Sequence, residues 1–151
     1  NLIFIKKALK FIESILDNRG VIYFIGSSEL INSKIKKKHN NVFFFSDLKS
    51  LGILSNLRNN FLQPKKLPDV IILCSKKFNT DLLSEANRLN IPTIVLLSSD
   101  MKFDNITFPI FTNFSNSFYL FYFNLLLNVI FFSGLREKNK VSRIIKKNVK
   151  K

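Results

Sequence analysis

Four short runs, apolar but for Thr93 at the head of the last, punctuate the chain: residues 21–25 (VIYFI), 42–45 (VFFF), 70–74 (VIILC) and 93–97 (TIVLL). None alternates apolar with polar, as a strand with one wet face must. Each therefore predicts a strand buried on both sides, the pattern of a parallel sheet. Helical periodicity fills the intervals. Residues 5–17 set Ile5, Leu9, Ile12 and Leu16 at spacings of four, three and four, with Lys6, Lys7, Lys10 and Glu13 off the stripe. Asn18-Arg19-Gly20 ends this helix, Gly20 being suited to a left-handed cap. Further helices are predicted over 29–38 after the Gly26-Ser27-Ser28 turn, over 81–89 after a cap by Asn79 or Thr80, and from about 116 to 133 after a short extended piece at 107–111. Strands that alternate with helices in this way imply an α/β/α sandwich with a mostly parallel sheet.

Composition narrows the partner. The 151 residues hold 24 Lys or Arg against 10 Asp or Glu, a formal charge of +14, so an acidic partner is expected and nucleic acid is favoured over an anionic membrane surface. Half of that excess sits at the end: residues 134–151 carry eight Lys or Arg and one Glu. We read 1–133 as a single α/β/α domain and 134–151 as a basic C-terminal extension, disordered as a free peptide and ordered against RNA or an acidic protein. Phe 17 with Trp 0, beside many Asn and Lys, is the composition of an AT-rich genome of the organellar or endosymbiont kind. The opening Asn1-Leu2-Ile3-Phe4 shows neither an Arg- and Ser-rich transit pattern nor a secretory one, which fits a chain made where it works or a trimmed segment.

Catalytic equipment is sparse. Cys74 is the single cysteine and reads as a small buried hydrophobe; His39 is the single histidine and has no patterned cysteine or carboxylate near it. Asp69 follows a proline at a strand start and caps or turns the chain, while Asp81 and Glu85 beside Arg88 read as surface pairs. We therefore expect no catalytic residues, no metal, no cofactor and no small-molecule substrate. Gly26-Ser27-Ser28 reads as a helix cap, with a phosphate contact as the alternative; a dinucleotide site would need further glycines. The run FYLFYFNLLLNVIFF (118–132) is broken by Asn124 and Asn128 and falls short of the roughly twenty residues that span a bilayer. It reads as a helix covered by the sheet on one side and a protein neighbour on another, with no integral membrane association.

The order VIYFIGSS, GILSN, LPDVIIL, EANRLNIPTI, then Pro109 before a long helix, resembles the small-subunit ribosomal protein family numbered two. Gly52, Leu54, Asn56, Leu67, Pro68, Asp69, Glu85, Ala86, Leu89, Ile91, Pro92 and Pro109 stand where that family expects them. Ser55 replaces its usual Thr, Leu51 one of two glycines, Ser98-Ser99-Asp100 its Asp-Thr-Asn, and Thr112-Asn113-Phe114 its Gly-Asn-Asp; the opening strand motif is missing. Bacterial members carry a helical hairpin between the Leu-Thr-Asn and Leu-Pro-Asp motifs, for which residues 57–66 leave no room.

The resemblance implies a Rossmann/flavodoxin-like fold without the hairpin insertion and a protein that performs no reaction. It implies a place in the small ribosomal subunit between head and body, held by small-subunit rRNA and neighbouring ribosomal proteins. In the family the Gly52-to-Asn56 turn faces rRNA. The expected rRNA-binding residues are Gly52, Ser55, Asn56 and Arg58 at that turn, Lys65 and Lys66 beyond it, Lys76 and Lys77 after a strand's carboxyl end, Lys36 and Lys37 at a helix end, and Arg136, Arg143, Lys146 and Lys147 in the extension. The expected location is the mitochondrial ribosome, with plastid or bacterial-type cytoplasm as alternatives. A nucleotide-binding enzyme on the same architecture is the alternative function, and a membrane-anchored adaptor a further one.

Overall fold

The computed structural model describes residues 2–26, 40–46, 48, 52–56, 66–74, 80–98, 104–113 and 117–148, with backbone alone at 117, 118, 134, 135 and 137–148. Strands β1 (Ile22–Ile25), β2 (Val42–Phe45), β3 (Val70–Leu73), β4 (Thr93–Leu97) and β5 (Phe108–Phe111) form one sheet in the order β2-β1-β3-β4-β5. Every pairing is parallel, with Tyr23 opposite Phe43 on one side and Ile71 on the other. The described helices are α1 (Leu2–Asp17), α2 (Thr80–Arg88) and α3 (Ser117–Asn148). This strand order is the flavodoxin-like form of the doubly wound fold, as the continuous apolar runs imply.

Alternate residues of each strand feed two separate cores. Ile22 and Phe24 of β1, with Val70, Ile72, Ile94, Leu96 and Ile110, meet Ile5, Ala8, Ile12 and Leu16 of α1 and Phe123, Leu126, Leu127 and Ile130 of α3. Tyr23 and Ile25, with Ile71, Leu73, Val95 and Leu97, meet Leu82, Leu83 and Ala86 of α2 together with Leu48, Ile53 and Leu54. α1 and α3 therefore cover one face of the sheet and α2 the other. Burying each such side chain stabilises by about 1.5–3 kcal/mol, which explains why no strand interior admits a charge.

The helix ends differ from expectation in an instructive way. At the end of α1 the left-handed residue is Arg19 (φ 58), not Gly20. Arg19 N–H bonds the Leu16 carbonyl at 3.0 Å and Gly20 N–H the Ile15 carbonyl at 2.8 Å, the bond pair of a Schellman cap whose C′ residue is Arg19. Gly20 is a glycine for lack of room: a Cβ there would lie 2.6 Å from Ile15 Cγ2. α2 closes identically, with Asn90 (φ 54) bonding Asn87 and Ile91 bonding Ala86. The Asn-Ile-Pro of the sequence is thus a cap residue, a buried hydrophobic return and a helix-stopping proline.

α3 does not stop before Gly134 but runs on to Asn148. One helical glycine costs about 1 kcal/mol relative to alanine, and the Leu-Arg-Glu-Lys that follows is strongly helix-forming, so the helix crosses it. Arg136, two residues on, is ion-paired to Glu13 of α1 at 3.3 Å and ties the continuation to the body of the protein. The predicted helix over 29–38 lies outside the described residues.

Candidate nucleic-acid interface

Residues 52–56 make a tight turn whose amide of Asn56 donates to the Gly52 carbonyl at 2.9 Å. Gly52 takes φ 77, a conformation open to glycine at little cost, and a side chain there would also crowd the Asn56 amide. Ile53 and Leu54 point inward and are buried beneath α2, while Ser55 and Asn56 face solvent. The turn is therefore anchored by its apolar middle and shows its polar end.

Glu85, half-buried on α2, completes the anchor. Its Oε1 accepts the N–H of Leu54 at 3.1 Å, the N–H of Ser55 at 2.7 Å and the hydroxyl of Ser55 at 2.7 Å. The surface pairing expected for Glu85 is replaced by this clamp because the turn, thirty residues earlier in the chain, folds directly against the helix. Sequence reasoning missed it; the apolar Ile53-Leu54 pair inside a polar turn was the available signal that the turn is held by the core.

Asp69 likewise joins distant segments. Its carboxylate accepts the N–H of Val21 at 2.7 Å and its own N–H donates to the Val21 carbonyl at 2.8 Å, locking the starts of β1 and β3 side by side. Just before it, the Lys66 carbonyl accepts the Tyr23 hydroxyl at 2.7 Å, which fixes Lys66 at the amino edge of the sheet with its side chain exposed.

Among the described residues, those expected to bind rRNA do not converge on one patch. Gly52, Ser55 and Asn56 sit together on the α2 face, whereas Arg136 lies on the opposite face, engaged with Glu13. Arg143, Lys146 and Lys147 fall on the continued helix, where the backbone alone is described. Arg58, Lys65, Lys76, Lys77, Lys36 and Lys37 lie outside the described residues. The described helices differ in charge: α1 and α3 hold nine Lys or Arg against three Asp or Glu, α2 one Arg against two. Arg136, Lys140, Arg143 and Lys147 follow at spacings of four, three and four, which places them on one stripe of a helix.

The titrating groups that burial perturbs are unreactive ones. Desolvation pushes Tyr23 and Tyr119 up to about 12 and raises the Cys74 thiol further, so all three stay protonated at neutral pH. The Tyr119 hydroxyl donates to the Cys74 carbonyl and pins the start of α3 over the end of β3. Among the described residues no group of three His, Cys, Asp or Glu could hold a metal ion, and no described helix is long and apolar enough to cross a membrane.

A search of the curated proteins found no match. The family model described as ribosomal protein S2 matches residues 49–131, more than half of the chain. The match takes in the clamped turn, the Asp69 crosslink, α2, β4, β5 and the first half of α3. The chain belongs to the ribosomal protein S2 family, a family of structural proteins of the small ribosomal subunit.

Proposed function

We propose that the protein binds small-subunit rRNA and adjacent ribosomal proteins as a structural part of the subunit, with the parallel sheet as a stiff plate and the cations as its grip on phosphate. The family match over 49–131 carries this reading. The charge excess of +14 and the cationic bias of α1 and α3 supply what a polyanion requires. On α3 the exposed Leu120, Phe121 and Phe132, each more than half accessible, suit contact with a neighbouring protein. The protein is a reduced organellar member, mitochondrial by our reading: residues 57–66 cannot hold the hairpin of bacterial members, and the Phe-, Asn- and Lys-rich composition fits an AT-rich genome. Loss of the hairpin shifts part of the rRNA grip to the continued α3.

Reversing charge on that helix tests the assignment. Arg143→Glu with Lys146→Glu and Lys147→Glu should weaken incorporation into the small subunit and flatten the dependence of RNA affinity on salt, because fewer counterions are released. Unchanged incorporation and an unchanged salt slope would show that this stretch faces solvent.

A further inference from the structure

The turn at 52–56 is the kind of loop that holds an anion, since two consecutive N–H groups, of Leu54 and Ser55, converge on one point. That point is taken. Glu85 Oε1 sits there and accepts the Ser55 hydroxyl as well. A phosphate brought to the same donors would have to displace the carboxylate and meet its charge. Displacement is opposed from both sides, because Leu82, Leu83 and Ala86 fix α2 and Ile53 and Leu54 fix the turn in the same core. What the turn still offers is Asn56, exposed and without a side-chain hydrogen bond to any described residue. Its amide is neutral and carries both a donor and an acceptor, the complement of a ribose hydroxyl or a base edge.

We propose that Glu85 is a positioning residue that occupies the anion-binding donors of the turn, so that the turn meets RNA through the Asn56 amide at a ribose hydroxyl or base edge and not through phosphate. This rests on the RNA-binding reading above and divides the labour within it: phosphate contacts belong to the lysines and arginines, and Asn56 supplies a contact that is insensitive to salt.

The test is a salt series of binding between the full chain and the small-subunit rRNA transcribed from the same genome. Asn56→Ala should lower affinity about five- to tenfold, the worth of one or two neutral hydrogen bonds, by the same factor at every salt concentration and with thermal unfolding unchanged. Glu85→Gln retains an oxygen for the same donors but holds them without charge, so any change in its affinity should be a loss, by one factor at every salt concentration and with the parental salt slope. Tighter binding by Glu85→Gln with a steeper slope would overturn the proposal, since the donors would then be a phosphate site that Glu85 masks. Parental affinity in Asn56→Ala would overturn it too. A parent that binds this transcript no better than a non-ribosomal RNA of equal length would instead overturn the RNA-binding reading itself.

Discussion

Gly20 and Arg19 offer opposite stability changes from adjacent residues. In Gly20→Ala the new Cβ would lie 2.6 Å from Ile15 Cγ2 and 3.1 Å from both the Ile15 carbonyl and Asp69 Oδ2. None of these atoms yields easily. Ile15 is β-branched and stiff at χ1, its carbonyl already accepts the Gly20 N–H, and the Asp69 carboxylate is held by Val21. Overpacking of this kind costs about 1–3 kcal/mol, and the stiffer unfolded chain returns about 0.4–1 kcal/mol, leaving a loss of about 1–2 kcal/mol. For a chain of this length that is a fall in Tm of roughly 3–6 °C. Arg19→Gly should do the reverse. The left-handed conformation costs a side-chain-bearing residue about 1–2 kcal/mol, the added freedom of the unfolded glycine takes back about 0.4–1 kcal/mol, and the net gain is about 0.5–1 kcal/mol. The Arg19 side chain is exposed and its carbonyl, which accepts from Asn41, remains in the variant. Thermal and urea unfolding followed by circular dichroism measure both. A neutral Gly20→Ala, or an Arg19→Gly that unfolds earlier, would refute the assignment of the cap.

Two further predictions follow from buried oxygens. Thr112 is buried and its hydroxyl has no hydrogen-bond partner among the described residues, so Thr112→Val should raise stability by about 1 kcal/mol, seen as a higher Tm; a fall would mean that the hydroxyl has a partner. Tyr23 and Tyr119 have folded-state pKa values of about 12, against an ordinary value of 10.0, because burial disfavours the phenolate. The unfolded chain therefore loses these protons first: stability is intact below pH 10 and falls between pH 10 and about 12. Denaturant unfolding across that window should show the decline, and Tyr23→Phe should make it shallower.

Much of the plate was legible in advance. Residues 70–73 and 94–97 are apolar without a break, a pattern that a parallel strand between two helical layers demands and few other settings tolerate, and both strands are buried throughout; the run at 42–45 is a strand as expected but, lying at the sheet edge, is only half-buried at Phe43 and Phe45. What local pattern could not show is where space and long-range partners decide. Gly20 looked like a backbone requirement and is a packing one, visible once Ile15 and Asp69 are in place. Gly134 looked like a stop, but a single glycine is a weak breaker when α1 is alongside to receive Arg136. Glu85 and Asp69 carry no local mark of the turn and strand that they hold, because their partners lie 30 or 31 and 48 residues away in the chain. The candidate site was legible as a motif. Its division into a set of donors occupied by Glu85 and one exposed amide at Asn56 was not.

A structural protein of the small ribosomal subunit is a fixed part of a ribonucleoprotein particle. Sucrose-gradient sedimentation of an extract of the source cells, with the protein detected by antibody, tests this most directly. The protein should migrate with the small ribosomal subunit and with assembled ribosomes; recovery at the top of the gradient as a free small protein, while the small subunit migrates intact below it, would contradict the account.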